Sequence, residues 1–192
     1  MIMAKKRRRN RETVGMRFLK KMVNTGLFIL VVLGITYLVV NYATNRTLVH
    51  GSSMEATLSD GDSIMMDKLS YRFQEPERFD IISFPYNDPA HPYLIKRIIG
   101  LPGETIQIMD GKIHINNEVL QESYGLEVIQ SGGLADQPIT LGTDEYFVMG
   151  DNRNDSVDSR FAEVGNVRKQ DISGRAWLQV WPFNDFGLVR NK

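Results

Sequence analysis

The chain opens on a polar stretch, turns apolar for about twenty positions, and then alternates in short runs towards its end. From Gly26 to Val40 no residue is charged, and widening the window to 23–43 adds only neutral side chains. As a helix this window rises about 31 Å, enough for a hydrocarbon core of ~30 Å. The pattern predicts a transmembrane helix over 23–43. Beyond it the period falls to two, and short strands are predicted at 47–50, 62–68, 79–84, 92–99, 105–109, 112–115, 145–149 and 172–181. Two alternating runs flank Asp110-Gly111, the pair a type I′ hairpin turn prefers, and Asn116-Asn117 predicts a further turn. No later segment sustains a 3.6-residue apolar period, so no long helix is expected after the anchor. Residues 121–143 are weakly patterned around Gly132-Gly133 and read as an irregular insertion on a β core.

Charge changes this picture only at the N-terminus. The 192 residues carry no net charge, yet residues 1–22 hold nine Lys/Arg against Glu12 alone, a balance of +8, leaving −8 for the remainder. A basic arm fits nucleic acid in isolation. Followed directly by an apolar helix, it instead marks the side of the membrane that stays cytoplasmic, and no nucleic-acid partner is expected. Residues 44–192 then form an extracytoplasmic domain. A cleaved secretory signal has a similar layout, but residues 41–46 lack an A-x-A site, so the helix is read as an uncleaved anchor in the lipid bilayer. With no cysteine, disulfides, thiolate metal sites and a thiol nucleophile are excluded.

Lys96 is the candidate with the most chemistry in its surroundings. It lies in the apolar run Tyr93-Leu94-Ile95-Lys96-Arg97-Ile98-Ile99, and alternation puts it on the face of Leu94 and Ile98. Desolvation there disfavours the ammonium, and a neutral amine is a base able to activate a hydroxyl. In isolation the bland reading is a lysine snorkelling from a sheet edge. Ser53, in Gly51-Ser52-Ser53-Met54, is either a turn residue or a nucleophile awaiting such a base. His50, three residues away, keeps a Ser-His-Asp arrangement open. The polar run 150–160 follows an apolar strand. As a calcium loop it fails, because Ser156 and Ala162 stand where glycine and glutamate are required. It reads as either a solvated Asx-rich turn or a loop orienting a buried partner, with Asp158 and Arg160 as its natural ion pair.

Together these segments resemble the type I signal peptidases, membrane-anchored Ser/Lys endopeptidases, in their single-anchor bacterial form. The resemblance rests on Gly51-Ser52-Ser53-Met54-Glu55-Ala56-Thr57-Leu58, Gly61-Asp62-Ser63-Ile64, Arg78-Phe79-Asp80-Ile81-Ile82-Ser83-Phe84, residues 93–104 and the 150–160 loop, matching in order and spacing up to about residue 182. It implies a mainly β fold: one transmembrane helix, then a coiled antiparallel β-sheet catalytic domain with a small inserted β subdomain at 104–142. It implies Ser53 as nucleophile, Lys96 as general base, Ser156 hydrogen-bonded to Lys96, and Asp158 with Arg160 bracing the loop. Shallow pockets near Val49, Gly51, Met54, Leu58 and Ile95 are expected to admit alanine-like side chains. The implied substrates are signal-peptide-bearing preproteins cut at the outer face of the cytoplasmic membrane, with no cofactor and no metal.

Three departures stand out. Ala56 replaces a usual proline and is expected to loosen that segment slightly. Phe79 replaces a usual glycine and is read as neutral. Gly51 stands where some relatives carry a serine that completes the oxyanion hole, so a second donor beside the Ser53 N–H has to come from elsewhere. The rival readings are a soluble dyad enzyme such as a self-cleaving repressor, against which the anchor argues, and an inactive anchored β domain that binds export components. Trp177 and Trp181 fit either the lipid interface or the core.

Overall fold

The computed structural model describes residues 2–38, 44–125 and 127–189, and the chain divides after Ala43 into two compact units. In the first, helix α1 runs Ile2–Leu38. Its stretch Met16–Tyr37 is long and apolar enough to cross a membrane. This stretch overlaps the window expected at 23–43, of which residues 39–43 fall outside the described residues. The basic segment is helical from Ile2 onward. Leu27, Phe28 and Leu30 stand more than half exposed, so this apolar surface has no core of its own to fill.

The second unit holds two antiparallel sheets. In the larger, β1 (Thr44–Leu48), β2 (Ser63–Asp67), β11 (Gly174–Trp181), β3 (Ile81–Pro85), β4 (Tyr93–Gly100), β9 (Glu145–Met149) and β10 (Val167–Arg168) lie side by side, with β12 (Gly187–Leu188) on β11. The smaller sheet is inserted between β4 and β9, in the order β7 (Glu118–Val119), β6 (Lys112–Ile115), β5 (Thr105–Met109), β8 (Ile139–Thr140). After α1 the described residues hold only short 3₁₀ turns as helix. Asp110 and Gly111 both take positive φ between β5 and β6, as do Asn116 and Asn117 between β6 and β7, the backbone a type I′ turn demands.

The inserted sheet shares its core with the larger one. Ile99, Phe147 and Met149 pack with Ile106, Ile108, Ile113 and Leu141 in one buried cluster, each side chain contributing about 1.5–3 kcal/mol. Gly100 marks the closest approach, since a Cβ there would sit 2.0 Å from Ile106 Cδ1. Residues 121–143 are more than a loose insertion. They bury Tyr124, Ile129, Ala135 and Leu141 and form the 3₁₀ turn Gly133–Asp136.

Two sequence expectations are corrected by the backbone. Phe79 has φ +74°, so phenylalanine in place of glycine is not neutral; a left-handed bulky residue costs on the order of 1–2 kcal/mol. Its ring lies 5.1 Å from that of Tyr124, and that packing offsets part of the strain. Ala56 has φ +79°, a value closed to proline. The turn after Met54 is thus a different conformer, not a slightly loosened one.

Candidate active site

Ser53 comes from the turn between β1 and β2, and Lys96 from the middle of β4. β4 pairs with β3 along 93–97 but with β9 only from Arg97 onward, so its Tyr93–Lys96 edge opposite β3 lines a cleft of about 550 Å³. Val49, Gly51, Met54 and Ile95 line that cleft together with Ser53 and Lys96. Leu58 does not; it is 1% exposed in the core beneath Val49 and Met54. Lys96 Nζ donates to Ser53 Oγ at 2.6 Å. The lysine is 2% exposed, and burial brings its pKa down to about 8 from 10.5, although the Asp158 and Asp151 carboxylates pull it back upward. His50 is exposed, and its ring meets that of His91 edge-on at 6.4 Å between centroids. Geometry thus couples the serine to the lysine.

The loop that follows β9 holds the Ser53 turn in place. Asn152 N–H donates to the Ser53 carbonyl at 3.1 Å, and Asn152 Nδ2 donates to the Ser52 carbonyl at 3.2 Å. Within the loop, Asp158 is fully buried and its carboxylate accepts from Arg160 Nε and Nη2 at 2.8 Å each. The same carboxylate accepts from the Gly150 N–H and from the Ser156 hydroxyl, at 3.1 and 2.8 Å. The Ser156 proton is therefore committed to Asp158, and no Ser156–Lys96 bond is found among the described residues. Ser156 still lines the cleft beside Lys96.

Several residues that matter here were not singled out from the sequence. Arg97, adjacent to Lys96 but facing away from it, makes a two-pronged ion pair with Asp151 at 2.8 and 2.6 Å, both side chains buried. Its guanidinium also donates to the Phe79 carbonyl at 2.8 Å and stacks 3.6 Å from the Tyr124 ring centroid. Thr57 Oγ1 donates to Asp151 at 2.6 Å, tying the Ser53 turn to the same carboxylate. From the inserted segment, Glu122 pairs with Arg153, Arg160 donates to the Ser131 carbonyl, and Asn154 donates to Val128. Residues 121–143 thus brace the loop from behind. The only sequence signal for this was a run of polar residues rich in charge after an apolar strand.

Gly150 leaves no room for a side chain. A Cβ there would lie 2.3 Å from Ser156 Oγ and 2.5 Å from the Ser53 carbonyl oxygen. Gly150→Ala is expected to push the loop off the Ser53 turn and lower kcat by about 100-fold, since misplacements near 1 Å reach that size. Steady-state cleavage kinetics check it; an unchanged kcat would show that the loop does not position Ser53.

Comparison with known proteins gives a family match that spans both Ser53 and Lys96. The family described as "Signal peptidase, peptidase S26" matches residues 22–181. The probable signal peptidase I-2 of Synechocystis sp. is 35% identical over 153 residues, covering 77% of this chain and 68% of that protein. Signal peptidase I of Leptolyngbya laminosa is 38% identical over 170 residues, covering 84% and 79%. A crystal structure of a signal peptidase I from Enterococcus faecalis V583 is 34% identical, with a TM-score of 0.43, covering 53% of this chain and 97% of that one. By the family match and by identity over that much of its length, this chain, with its serine and lysine in one cleft, belongs to the signal peptidase family of S26 peptidases.

Proposed function

We propose that the chain is a membrane-anchored serine endopeptidase that removes signal peptides from exported preproteins, with Ser53 as nucleophile and Lys96 as its base. The observation that carries this reading is the 2.6 Å contact between Ser53 Oγ and a buried lysine whose pKa is brought down to about 8. In the neutral state of the amine the Ser53 O–H donates to Lys96 Nζ. Attack on the scissile carbonyl transfers that proton to Lys96, and the ammonium then gives it to the departing amine. The acyl group stays on Ser53 Oγ. A water molecule, deprotonated by Lys96, releases it and returns the proton to the serine. The amine, the hydroxyl and water complete this cycle.

Substrate geometry follows from the cleft. The Tyr93–Lys96 edge of β4 that faces away from β3 is available for an extended peptide, which adds as a strand. Val49, Gly51 and Ile95 at its walls favour alanine-like side chains before the cut. The nine cations of residues 1–22 support a cytoplasmic N-terminus with the β unit outside.

The test is processing of a preprotein with an A-x-A site by membranes containing the full chain, alongside Ser53→Ala. Cleavage that requires Ser53 is expected, and kcat/KM is expected to rise with pH through about 8, because the base acts only after losing its proton. Undiminished cleavage by Ser53→Ala, or a flat profile between pH 6 and 10, would overturn the dyad.

A further inference from the structure

Two charged side chains line the cleft, Lys96 and Asp155. Its walls are built from Val49, Met54, Leu94, Ile95 and Val157 together with the dyad, two histidines and a few small polar residues. Lys96 is buried against Ser53. Asp155 is the single carboxylate on this lining, exposed and set on the loop that clasps the nucleophile turn.

Its carboxylate is pinned there. Ser52, the residue immediately before the nucleophile, donates its hydroxyl to Asp155 Oδ2 at 2.6 Å, and the Asp155 N–H closes a turn onto the Asn152 carbonyl at 3.1 Å. Among the described residues no cation pairs with Asp155. The carboxylates whose charge reaches Lys96 are Asp158 and Asp151, both in the buried ion-pair network behind the loop. The exposed charge of Asp155 therefore lines the cleft without an ion-pair partner among the described residues. Residues 23–192 as a whole hold more acids than bases.

We propose that Asp155 is a specificity-determining residue that selects lysine or arginine over an acidic side chain at a substrate position flanking the scissile bond. The Ser52 hydroxyl fixes the carboxylate one residue from the nucleophile, within reach of side chains close to the cut. Apart from the buried Lys96, no lysine or arginine lines these walls. An acidic side chain at the same position meets like charge in a partly desolvated cleft. This assignment rests on the endopeptidase reading and refines it.

The experiment uses the full chain in uncharged detergent and a peptide series with alanine at the first and third positions before the cut. One lysine or one glutamate is moved through the three positions on either side of the bond. At one or more positions the lysine peptide is expected to exceed the glutamate peptide in kcat/KM by about tenfold in low salt, shrinking to about twofold near 1 M salt as screening sets in. Asp155→Asn is expected to bring the low-salt ratio close to one, while Ser52→Ala, which keeps the carboxylate, retains most of it. A ratio unaltered by Asp155→Asn overturns the proposal. So does a ratio lost as fully in Ser52→Ala, because that would place the effect in the latch and not in the charge. Cleavage of the uncharged parent peptide separates the two levels: failure there overturns the endopeptidase reading and this assignment with it, whereas cleavage with no lysine preference at any position overturns this assignment alone.

Discussion

Replacing Lys96 with methionine is expected to abolish cleavage while making the folded β unit more stable below pH 8. The loss of activity should be at least 1,000-fold, since general-base assistance is worth roughly 100- to 10,000-fold and the serine is left without an activator. The stability gain follows from the same burial. In the unfolded chain the lysine binds its proton up to about pH 10.5, whereas in the fold it lets go near 8. The folded state thus binds fewer protons between these values, and stability rises with pH across that window. Below pH 8 the charged form is held in the fold at a cost of about 3 kcal/mol, a figure already net of the attraction from Asp158 and Asp151. Methionine matches the aliphatic stem and carries no charge, so it removes that cost. Urea unfolding at pH 6.5 should show a higher midpoint for Lys96→Met, with the advantage fading towards pH 10.5. A midpoint that drops at pH 6.5 would show that the amine stabilises the fold and is not held there against its solvation.

The parts of this molecule that were readable from sequence are those set by local chemistry. Asp110-Gly111 and Asn116-Asn117 dictate their turns because their small polar side chains and glycine accept positive φ. Lys96 was legible because a lone ammonium in an apolar strand is conspicuous wherever that strand ends up. Ser53 was legible only through the company of its motif, since a serine after a glycine is usually just a turn. What the sequence hid are contacts closed across long separations. Arg97 reads as a strand residue until Asp151, fifty-four positions later, arrives beside it. Tyr124 sits in a weakly patterned stretch, and nothing local says that its ring will cover that guanidinium. Strands of two residues, such as β7 and β8, are too short to show a period. The positive φ of Phe79 was hidden for a different reason: a bulky residue in that region runs against local preference, and only the surrounding packing holds it.

Breaking the Arg97–Asp151 pair is expected to destabilise the β unit by about 3–5 kcal/mol, because either partner left alone is an uncompensated charge with both side chains fully buried. Asp151→Leu also removes the acceptor for Thr57 and leaves the guanidinium with the Phe79 carbonyl, the Thr57 hydroxyl and the Tyr124 ring. Arg97→Met strands the carboxylate in turn. The double variant should lose less than the sum of the two, since it removes both charges together. Urea unfolding followed by the fluorescence of Trp177 and Trp181 measures this cycle, and strictly additive losses would show that the pair is not coupled. Asp151 has a second consequence, because its charge raises the pKa of Lys96. Asp151→Asn keeps the shape and some hydrogen bonding while removing that charge, so Lys96 should release its proton at lower pH. The rising limb of kcat/KM in the surviving fraction is then expected to move to the acid side of that of the unmodified chain. A limb that stays in place would mean that the ion pair supports the fold without tuning the base one residue away.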